Sequence, residues 1–508
     1  MAPASAQPAS GPAGYAAVVR RHGLRVIPHW HESVVSATAI RKTVAEPSGS
    51  VVDVYGPGYW PGDSECEQLE FALKYDGTSL ALLAAIFPAL DPAVVARFVA
   101  AAPHGIYRRR LWLFYEWLTG RRLPLPDLAS GSYIDLVPAD ECHLPARRRL
   151  VSRQRINDNL PGTADFCPLV RRTPALAASA AARLDDRCRG LIAGVPGGLL
   201  GRALDYLYTK ETKSSFAIER QEPGSDRTAR FVRLLTRARH ERYCDPGRLV
   251  AAQNEIVDPR FQESGFRTAQ NYVGEMVHLG RERVHYVCPP PEAVPALMAG
   301  LIAADGRLDD EAIHPVIHAT TISYGFVFIH PFEDGNGRLH RFLIHNILAT
   351  RGFTPPEVMV PISAAMLRDR AGYDRSLEDF SRPLLDLIDY TLDADGRMHV
   401  TGDHGPWYRY PDLTRQAEAV FRFVAEAVER DLPEELAFLA SYDRARESMR
   451  RVLDLPDRAG DLFIRLVNQQ GGGLSAAKRQ SSFASLTDDE IARLEAAVRE
   501  AFATPPPG

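Results

Sequence analysis

Apolar residues recur every three or four positions along most of the chain, which is the pattern of helices that bury one face. The pattern is dense from about 64 to 119, returns from 199 to 218, and dominates again from about 311 to 395. Near the end of the chain, Thr487 and Glu490 have the spacing of a capping box that opens a last helix. The sequence therefore predicts a mainly α fold with predominantly helical regions at both ends.

A different pattern occupies residues 272–287. Two short β-prone runs flank Leu279-Gly280-Arg281, which predicts a small β-hairpin. Three prolines follow at 289–291, and Pro295 is placed to open the next helix. The hairpin is thus expected to interrupt an otherwise helical core.

The chain has 508 residues, too many for one hydrophobic core, so two or three domains are expected. Ala, Pro, Ser and Gly dominate the start, which predicts a disordered tail, and WYRYPD (407–412) indicates a linker. We divide the chain into a tail (1–14), an N-terminal helical-rich domain of unknown role (15–195), a single helix (196–222), a helical core (225–395), a linker (396–412) and a C-terminal helical region (413–508).

Composition excludes some classes of function. The net charge is −4, so no global basic field favours nucleic acid. Six scattered cysteines without a C-x-x-C pair predict free thiols in a reducing compartment. No signal peptide is visible, and the most apolar run (80–90) is broken by Pro88, so we expect no membrane span and a cytoplasmic location. The preference for arginine over lysine, with many alanines, fits a GC-rich bacterial genome.

The stretch HPFEDGNGRLHR, from His330 to Arg341, concentrates the candidate chemistry. Pro331 disfavours helical geometry at the preceding residue, so the helix ISYGFVFI should end there and present the His330 imidazole. A histidine can take up a proton near neutral pH, so His330 is the natural base for activating a hydroxyl nucleophile.

The turn Gly335-Asn336-Gly337 follows, and the next helix is expected to begin after Gly337 and to end at Gly352. Free backbone N–H groups at a helix N-terminus, together with glycines that let an anion approach, predict a phosphate cradle.

Three charged residues flank this turn. Arg338 and Arg341 lie three positions apart on one face of the first helical turn, where their guanidinium groups suit phosphate oxygens. Asp334 is placed to hold Mg²⁺, which normally takes one carboxylate together with phosphate oxygens. A capped helix with a surface histidine and solvated arginines would explain any one of these residues, but not all of them in this order.

The stretch resembles the signature of the Fic (filamentation induced by cAMP) family, H-P-F-x-[D/E]-G-N-G-R-x-x-R, with every specified position filled. The resemblance implies a helical Fic catalytic core at 225–395 and transfer of AMP from ATP to a Ser, Thr or Tyr hydroxyl of a protein. By the same resemblance His330 would be the general base, Phe332 a core anchor and Asp334 the Mg²⁺ ligand.

The resemblance also implies the nucleotide site. Gly335, Asn336 and Gly337 would bind the nucleotide phosphates, Arg338 would orient them, and Arg341 would hold the γ-phosphate. The chain has no G-x-x-x-x-G-K-[ST] motif, so no P-loop competes for the nucleotide.

Two further matches are less specific. FRTAQNYVG and the residues up to 301 look like the hairpin flap of the family, which implies that Tyr272, Val273 and Gly274 dock the target by strand addition. SSFAIER resembles the motif [S/T]-x-x-x-E-[G/N] of members with an N-terminal autoinhibitory helix, here 196–222, with Ser215 and Glu219 as the inhibitory residues.

In those members the glutamate pairs with the second signature arginine, here Arg341, and keeps it from the γ-phosphate. Arg220 stands where the motif has Gly or Asn, residues that suit a left-handed helix end. Weaker inhibition than usual is therefore expected.

Several alternatives stay open. The same site would serve another donor, such as UTP, GTP or CDP-choline, or the removal of AMP with Glu219 aligning water. A third alternative is a regulatory binding protein that senses nucleotide and whose termini recognise DNA or a partner, although a sensor would not need His330 as a base. The expected partners are ATP and an unidentified target protein, with the chain itself as one candidate and a homodimer as one candidate assembly.

Overall fold

Helices make up most of the structure, so the predicted mainly α fold class is confirmed. The structure is a computed structural model, and it describes residues 10–38, 41–45, 50–195, 197–278, 281–355 and 358–503. In chain order its α-helices are α1 (Tyr15–His22), α2 (Glu65–Tyr75), α3 (Leu80–Ile86), α4 (Pro92–Ala101), α5 (Ile106–Thr119), α6 (Pro174–Ala181), α7 (Leu184–Ala193), α8 (Gly197–Ile218), α9 (Ser225–Arg237), α10 (Pro246–Ile256), α11 (Val294–Leu308), α12 (Pro315–Ile329), α13 (Asn336–Thr350), α14 (Ile362–Arg368), α15 (Arg370–Leu385), α16 (Gly405–Arg409), α17 (Thr414–Glu426), α18 (Leu432–Val452), α19 (Asp457–Gln469), α20 (Ala476–Ser482) and α21 (Asp488–Ala503).

The strands are short and form small, separate sheets. They are β1 (Gly11–Ala13), β2 (His31–Val35), β3 (Lys42–Ala45), β4 (Val51–Tyr55), β5 (Ile134–Asp135), β6 (Arg149–Val151), β7 (Ile156–Asp158), β8 (Tyr272–His278), β9 (Arg281–Val287), β10 (Asp389–Leu392) and β11 (Met398–Thr401). Their sheets have the orders β1-β2-β4-β3, β5-β7-β6, β8-β9 and β10-β11. The predicted hairpin is confirmed as the antiparallel pair β8–β9, and its turn residues Leu279 and Gly280 lie outside the described residues.

The chain divides into two compact units, each built from three separated stretches. The first unit contains Met1–Ala182, Gly224–Arg351 and Asp369–Phe421, and the second contains Arg183–Pro223, Gly352–Arg368 and Arg422–Gly508. The segments predicted from the sequence run consecutively along the chain, whereas the units interleave, and the predicted N-terminal domain shares the first unit with most of the helical core.

The N-terminal region of the first unit contains more β structure than its sequence predicted. Strands β1 to β4 form a mixed sheet in which β2 and β4 are parallel and the other pairs are antiparallel. The predicted disordered tail (1–14) is wrong for Gly11–Ala13, because these residues pair with β2 and Ala13 is fully buried. Residues 1–9 lie outside the described residues.

Phe166 joins this region to the helical core. Its side chain is buried, and it lies where a Cβ on Gly300 of α11 or on Gly325 of α12 would come within 3 Å of it. The two glycines therefore make room for an aromatic ring from a distant part of the sequence. This packing is one of the contacts between the N-terminal region and the helical core, which share the first unit.

Helices α12 and α13 form the centre of that core. From Val316 to Ile329 every residue of α12 is buried, as expected of a helix that is surrounded by protein on all sides. Helix α13 packs directly against α12 and is itself almost fully buried from Asn336 to Leu348. The corner between the two helices therefore has a fixed position in the first unit.

The predicted linker (396–412) is wrong, because these residues fold. Met398–Thr401 form β11, and α16 follows. The aromatic residues of WYRYPD are buried: the Tyr408 hydroxyl donates to the Val287 carbonyl at 2.7 Å, and the Tyr410 hydroxyl donates to the Ala164 carbonyl at 2.6 Å. These rings anchor the stretch in the first unit.

The second unit is helical. In it α8 packs against α14 and α18, and the Ser363 N–H donates to the Glu211 carboxylate of α8 at 2.9 Å. Helices α18, α19 and α21 enclose a separate hydrophobic core around Phe463. The predicted capping box is confirmed, since the Thr487 N–H donates to Glu490 at 2.8 Å and the Glu490 N–H donates to the Thr487 hydroxyl at 3.3 Å.

The six cysteines are free thiols, as the sequence predicted. Burial raises the pKa of Cys66 and of Cys288 to about 12, so these thiols stay protonated and unreactive near neutral pH.

Among the described residues, no single helix is long and apolar enough to cross a membrane. One pair, Leu80–Ala89 with Pro92–Ala101, satisfies the length and composition together but is bent by 113°.

The glycine at position 300 provides a test of this packing. In Gly300→Ala the new Cβ would meet the Phe166 Cβ and backbone nitrogen at 2.6 Å, so the free energy of unfolding should fall by about 1–3 kcal/mol. Gly306→Ala on the same helix is the matched control, because no heavy atom lies within 4 Å of its Cβ and alanine favours the helix by about 1 kcal/mol. Urea unfolding of both variants measures the difference, and equal stability of the two would contradict the proposed role of Phe166.

Candidate active site

His330 lies where α12 ends. Its backbone is left-handed, with φ of 52°, and its N–H donates to the Phe326 carbonyl at 2.9 Å. Pro331 follows, and the helix stops before it as predicted. A left-handed conformation is unusual for histidine and turns the chain sharply, so the imidazole is presented beyond the helix end.

The hydrogen bonding of the imidazole defines its chemistry. Nδ1 lies 3.0 Å from the Val327 carbonyl oxygen, which can only accept, so Nδ1 carries the proton and Nε2 keeps its lone pair. Burial lowers the pKa of His330 to about 4, and the positive charge of Arg267 acts in the same direction. At neutral pH the ring is therefore uncharged, with one nitrogen able to accept a proton.

Helix α13 begins at Asn336, two residues earlier than the sequence predicted. The reason is Gly335, which takes the left-handed N-cap conformation with φ of 90°. A Cβ at Gly335 would also come within 3.0 Å of Val257, so the chain approaches α10 closely here. The first N–H groups of a helix have no intrahelical acceptor, and the predicted anion cradle would use those of Asn336, Gly337 and Arg338.

The side chain of Asn336 has a local structural role. Its Oδ1 accepts the Phe332 N–H at 3.1 Å, and its Nδ2 donates to the Phe332 carbonyl at 2.7 Å. These two bonds close the loop between α12 and α13. The predicted contact of Asn336 with phosphate therefore depends on its backbone N–H.

Both signature arginines are buried in the first turns of α13. Arg338 has no exposed surface, and it donates to Asp334 at 2.6 Å and to the Ile256 carbonyl at 3.5 Å. Arg341 is 2% exposed and donates to the Tyr373 hydroxyl at 3.4 Å. Positive charge at a helix N-terminus opposes the helix dipole, so this pair of cations favours an anionic ligand.

Asp334 has the properties of a Mg²⁺ ligand that acts together with a nucleotide. Its side chain is 40% exposed, and one carboxylate oxygen accepts both the Gly335 N–H and Arg338 at 2.6 Å. Among the described residues no group of three or more His, Cys, Asp or Glu side chains could hold a metal ion. A single exposed carboxylate fits Mg²⁺, which keeps water and takes phosphate oxygens for its other positions.

The predicted docking residues lie on β8, at the base of the β8–β9 hairpin. The Tyr272 hydroxyl lies 2.6 Å from Glu282, which raises the pKa of Tyr272 to about 12, and 3.2 Å from the Gly396 carbonyl. Val273 is 40% exposed, and at Gly274 a Cβ would meet the Arg283 carbonyl at 2.9 Å. Tyr272 and Gly274 therefore shape the hairpin, while the Val273 side chain is exposed.

Arg267 and Asn271 are functional candidates that the sequence analysis did not identify. Arg267 donates from Nε to the His330 carbonyl at 2.7 Å, and its backbone N–H donates to the Pro331 carbonyl at 2.8 Å. Asn271 donates to the Phe332 carbonyl at 3.4 Å. Both residues are part of the quoted stretch FRTAQNYVG, but only the folded chain brings them to the corner at His330.

Ser215 and Glu219 belong to the second unit, at the end of α8. Ser215 is fully buried and Glu219 is half-buried. Arg220 is left-handed, with φ of 57°, so the helix ends in the conformation that the motif's Gly or Asn would favour despite the arginine. The pairing of Glu219 with Arg341 remains a prediction.

Comparison with known proteins agrees with this geometry. Residues 243–348 match the profile of the Fic/DOC family. The matched stretch contains the β8–β9 hairpin, all of α12 and the complete signature from His330 to Arg341.

Two relatives carry the same family name. A protein adenylyltransferase Fic from Nematostella vectensis is 25% identical over 299 residues, which cover 54% of this chain and 59% of the relative. The protein adenylyltransferase fic-1 from Caenorhabditis briggsae is 31% identical over 162 residues, which cover 30% of this chain and 27% of the relative. The chain thus spans less than two thirds of the length of either relative.

Among solved structures, a Fic domain containing signaling protein from Bacteroides thetaiotaomicron aligns with 52% of this chain and 96% of its own length, at 16% identity and a TM-score of 0.37. The profile match and the filled signature together show that residues 243–348 are similar to the Fic/DOC family.

Proposed function

We propose that this protein is an adenylyltransferase that transfers AMP from ATP to a Ser, Thr or Tyr hydroxyl of a target protein. One observation carries the proposal: an uncharged His330, with Nε2 able to accept a proton, lies five residues before a helix N-terminus that holds two buried arginines. A proton acceptor beside an anion cradle is what nucleophilic attack on a phosphate ester requires.

The proposed reaction uses each group in a separate role. The N–H groups at the start of α13, together with Arg338 and Arg341, hold the phosphates. His330 Nε2 accepts the proton of the target hydroxyl as its oxygen bonds to the α-phosphorus, the bond to the bridging oxygen of the β-phosphate breaks, and pyrophosphate leaves. Mg²⁺, held in part by Asp334, would neutralise phosphate charge when bound.

The hairpin supplies a means of presenting the target. Val273, Met276 and Val277 of β8 are 40%, 67% and 57% exposed, an unusual run of apolar side chains for a surface strand. The hairpin has only two strands, so its outer edges can pair with an extended peptide. These features support docking of a target segment by strand addition, with the chain itself as one candidate target.

The phosphate cradle does not specify the nucleotide base. The names of the relatives favour ATP, while UTP, GTP and CDP-choline would present the same diphosphate. Incubation with each labelled donor in turn separates these possibilities, and transfer from UTP or CDP-choline alone would replace ATP in the proposal.

We further propose that Glu219 restrains the reaction by competing with the γ-phosphate for Arg341. The support is the motif around Ser215 and Glu219 and the left-handed helix end at Arg220. A carboxylate at an anion site would displace the terminal phosphate and misalign the α-phosphorus.

Replacement of the base tests the catalytic proposal. In His330→Ala, AMP transfer from α-labelled ATP should fall by about 10²- to 10⁴-fold, because no side chain remains to accept the hydroxyl proton. Label on the protein or on a target mixture is measured with Mg²⁺ present, and circular dichroism checks the fold. Unchanged labelling in this variant would exclude His330 as the base.

The pH dependence tests the protonation state of the base. Burial lowers the pKa of His330 to about 4, so the neutral, active form persists from pH 8 down to about 5, and activity is lost only as pH approaches 4. We therefore expect kcat/KM at saturating Mg²⁺ to show no inflection from this group between pH 6 and 7. An inflection near the usual histidine pKa of about 6.5 would contradict this assignment, provided that the protein stays folded over that pH range.

Removal of the inhibitory carboxylate tests the second proposal. Glu219→Gly should raise AMP transfer by about 5- to 150-fold, the usual range of coupling between a regulatory group and a site. Glu222→Gly is the matched control, since Glu222 is an exposed carboxylate three residues further along. Equal labelling by wild type and Glu219→Gly, with a measurable basal rate, would show that Glu219 does not inhibit.

A further inference from the structure

Arg267 is a buried cation that has carbonyl groups as its partners. It is 4% exposed, and it donates to the carbonyls of Ala269 at 2.8 Å, Pro289 at 2.7 Å and His330 at 2.7 Å. Within the described residues, no carboxylate lies within ion-pair distance of its guanidinium group. Burying a charge without a counter-charge costs several kcal/mol, so this arrangement needs a compensating interaction.

The end of α12 provides that compensation. The last carbonyls of a helix lack intrahelical donors and carry the negative end of the helix dipole. Arg267 binds the carbonyls of Ile329, at 3.5 Å, and of His330, and so caps α12 at the point where the proposed base follows the helix. Its own N–H donates to the Pro331 carbonyl, which fixes the residue on the other side of His330 as well.

The same guanidinium holds both ends of the β8–β9 hairpin. Ala269 precedes β8 and Pro289 follows β9, so their carbonyls lie where the two strands enter and leave the hairpin. Pro289 lies beyond the paired strands, so no strand N–H reaches its carbonyl, and Arg267 supplies that donor instead. One side chain thus joins the hairpin base to the backbone of His330.

We propose that Arg267 is a positioning residue that fixes the distance between the target held on the β8–β9 hairpin and Nε2 of His330. The inference rests on the proposed function, because it assigns the hairpin to the target and His330 to the hydroxyl proton. A displacement of about 1 Å at a reacting group can cost about 100-fold in rate. A rigid link between the two elements therefore sets the rate of transfer.

Kinetics of Arg267 variants test this role. Arg267→Met keeps the side-chain length but removes its donors and charge, so we expect kcat to fall by about 10- to 100-fold. KM for ATP should stay within about twofold, since Arg267 has no hydrogen bond to the Gly335–Arg341 segment. Arg267→Lys keeps the charge and some donors and should recover part of kcat. A proportional loss of folded protein with unchanged kcat and KM would reduce Arg267 to a structural role and overturn the proposal.

Arg109→Met is the matched control. Arg109 is also 4% exposed and donates to the backbone carbonyls of Gln154 at 2.8 Å and Ser132 at 2.9 Å, all in the N-terminal region. Its loss should lower thermal stability as the loss of Arg267 does, but it should leave kcat of the folded protein unchanged. Equal loss of kcat in both variants would contradict a specific role for Arg267.

Hydrogen exchange gives a readout that does not depend on catalysis. In Arg267→Met, exchange should accelerate together in peptides covering 268–290 and 326–334, whereas Arg109→Met should leave both unchanged. If the wild type transfers no label but exchange is coupled in this way, the proposed function fails while the link through Arg267 stands. Exchange that stays unchanged in either peptide would refute the link, whatever the activity.

Discussion

The corner between α12 and α13 is the constraint on which the rest of the site depends. Two left-handed residues, His330 and Gly335, reverse the chain, and the Asn336 side chain closes the loop through both backbone groups of Phe332. A left-handed histidine costs about 1 kcal/mol, which the hydrogen bonds of His330 to Phe326, Val327 and Arg267 offset. These contacts therefore hold His330 and the first turn of α13 at a fixed separation.

Three arginines are buried around this corner, at the ends of α12 and α13. Arg267, Arg338 and Arg341 are all less than 5% exposed, and each lies at an end of one of the two central helices. At the end of α12 the dipole favours the cation, whereas at the start of α13 it opposes both cations. The first position is stable without a ligand, and the second gains most from an anion. This asymmetry distinguishes Arg267, whose position the helix dipole favours, from Arg338 and Arg341, whose positions a bound anion would stabilise.

The sequence predicted features encoded within a few residues. Pro331 indicated the helix end, Gly335 the turn, and Thr487 with Glu490 the capping box, because each acts on residues within a few positions of itself in the chain. The missed features depend on residues far apart in the chain. Phe166 meets Gly300, Tyr408 meets Val287, and Arg267 meets His330 only after folding, and no local pattern signals such pairs. For the same reason a stretch that looked like a linker is an anchored part of the first unit.

The hairpin must be held accurately relative to His330. A two-stranded hairpin is only marginally stable on its own, yet a general base must come within about 3 Å of the oxygen whose proton it removes. The bonds at the hairpin base resolve this conflict, since Arg267 and Asn271 bind the corner and the Tyr286 hydroxyl donates to the Phe328 carbonyl of α12. The exposed apolar positions of β8 can then adapt to a target, while the strand ends remain fixed relative to His330.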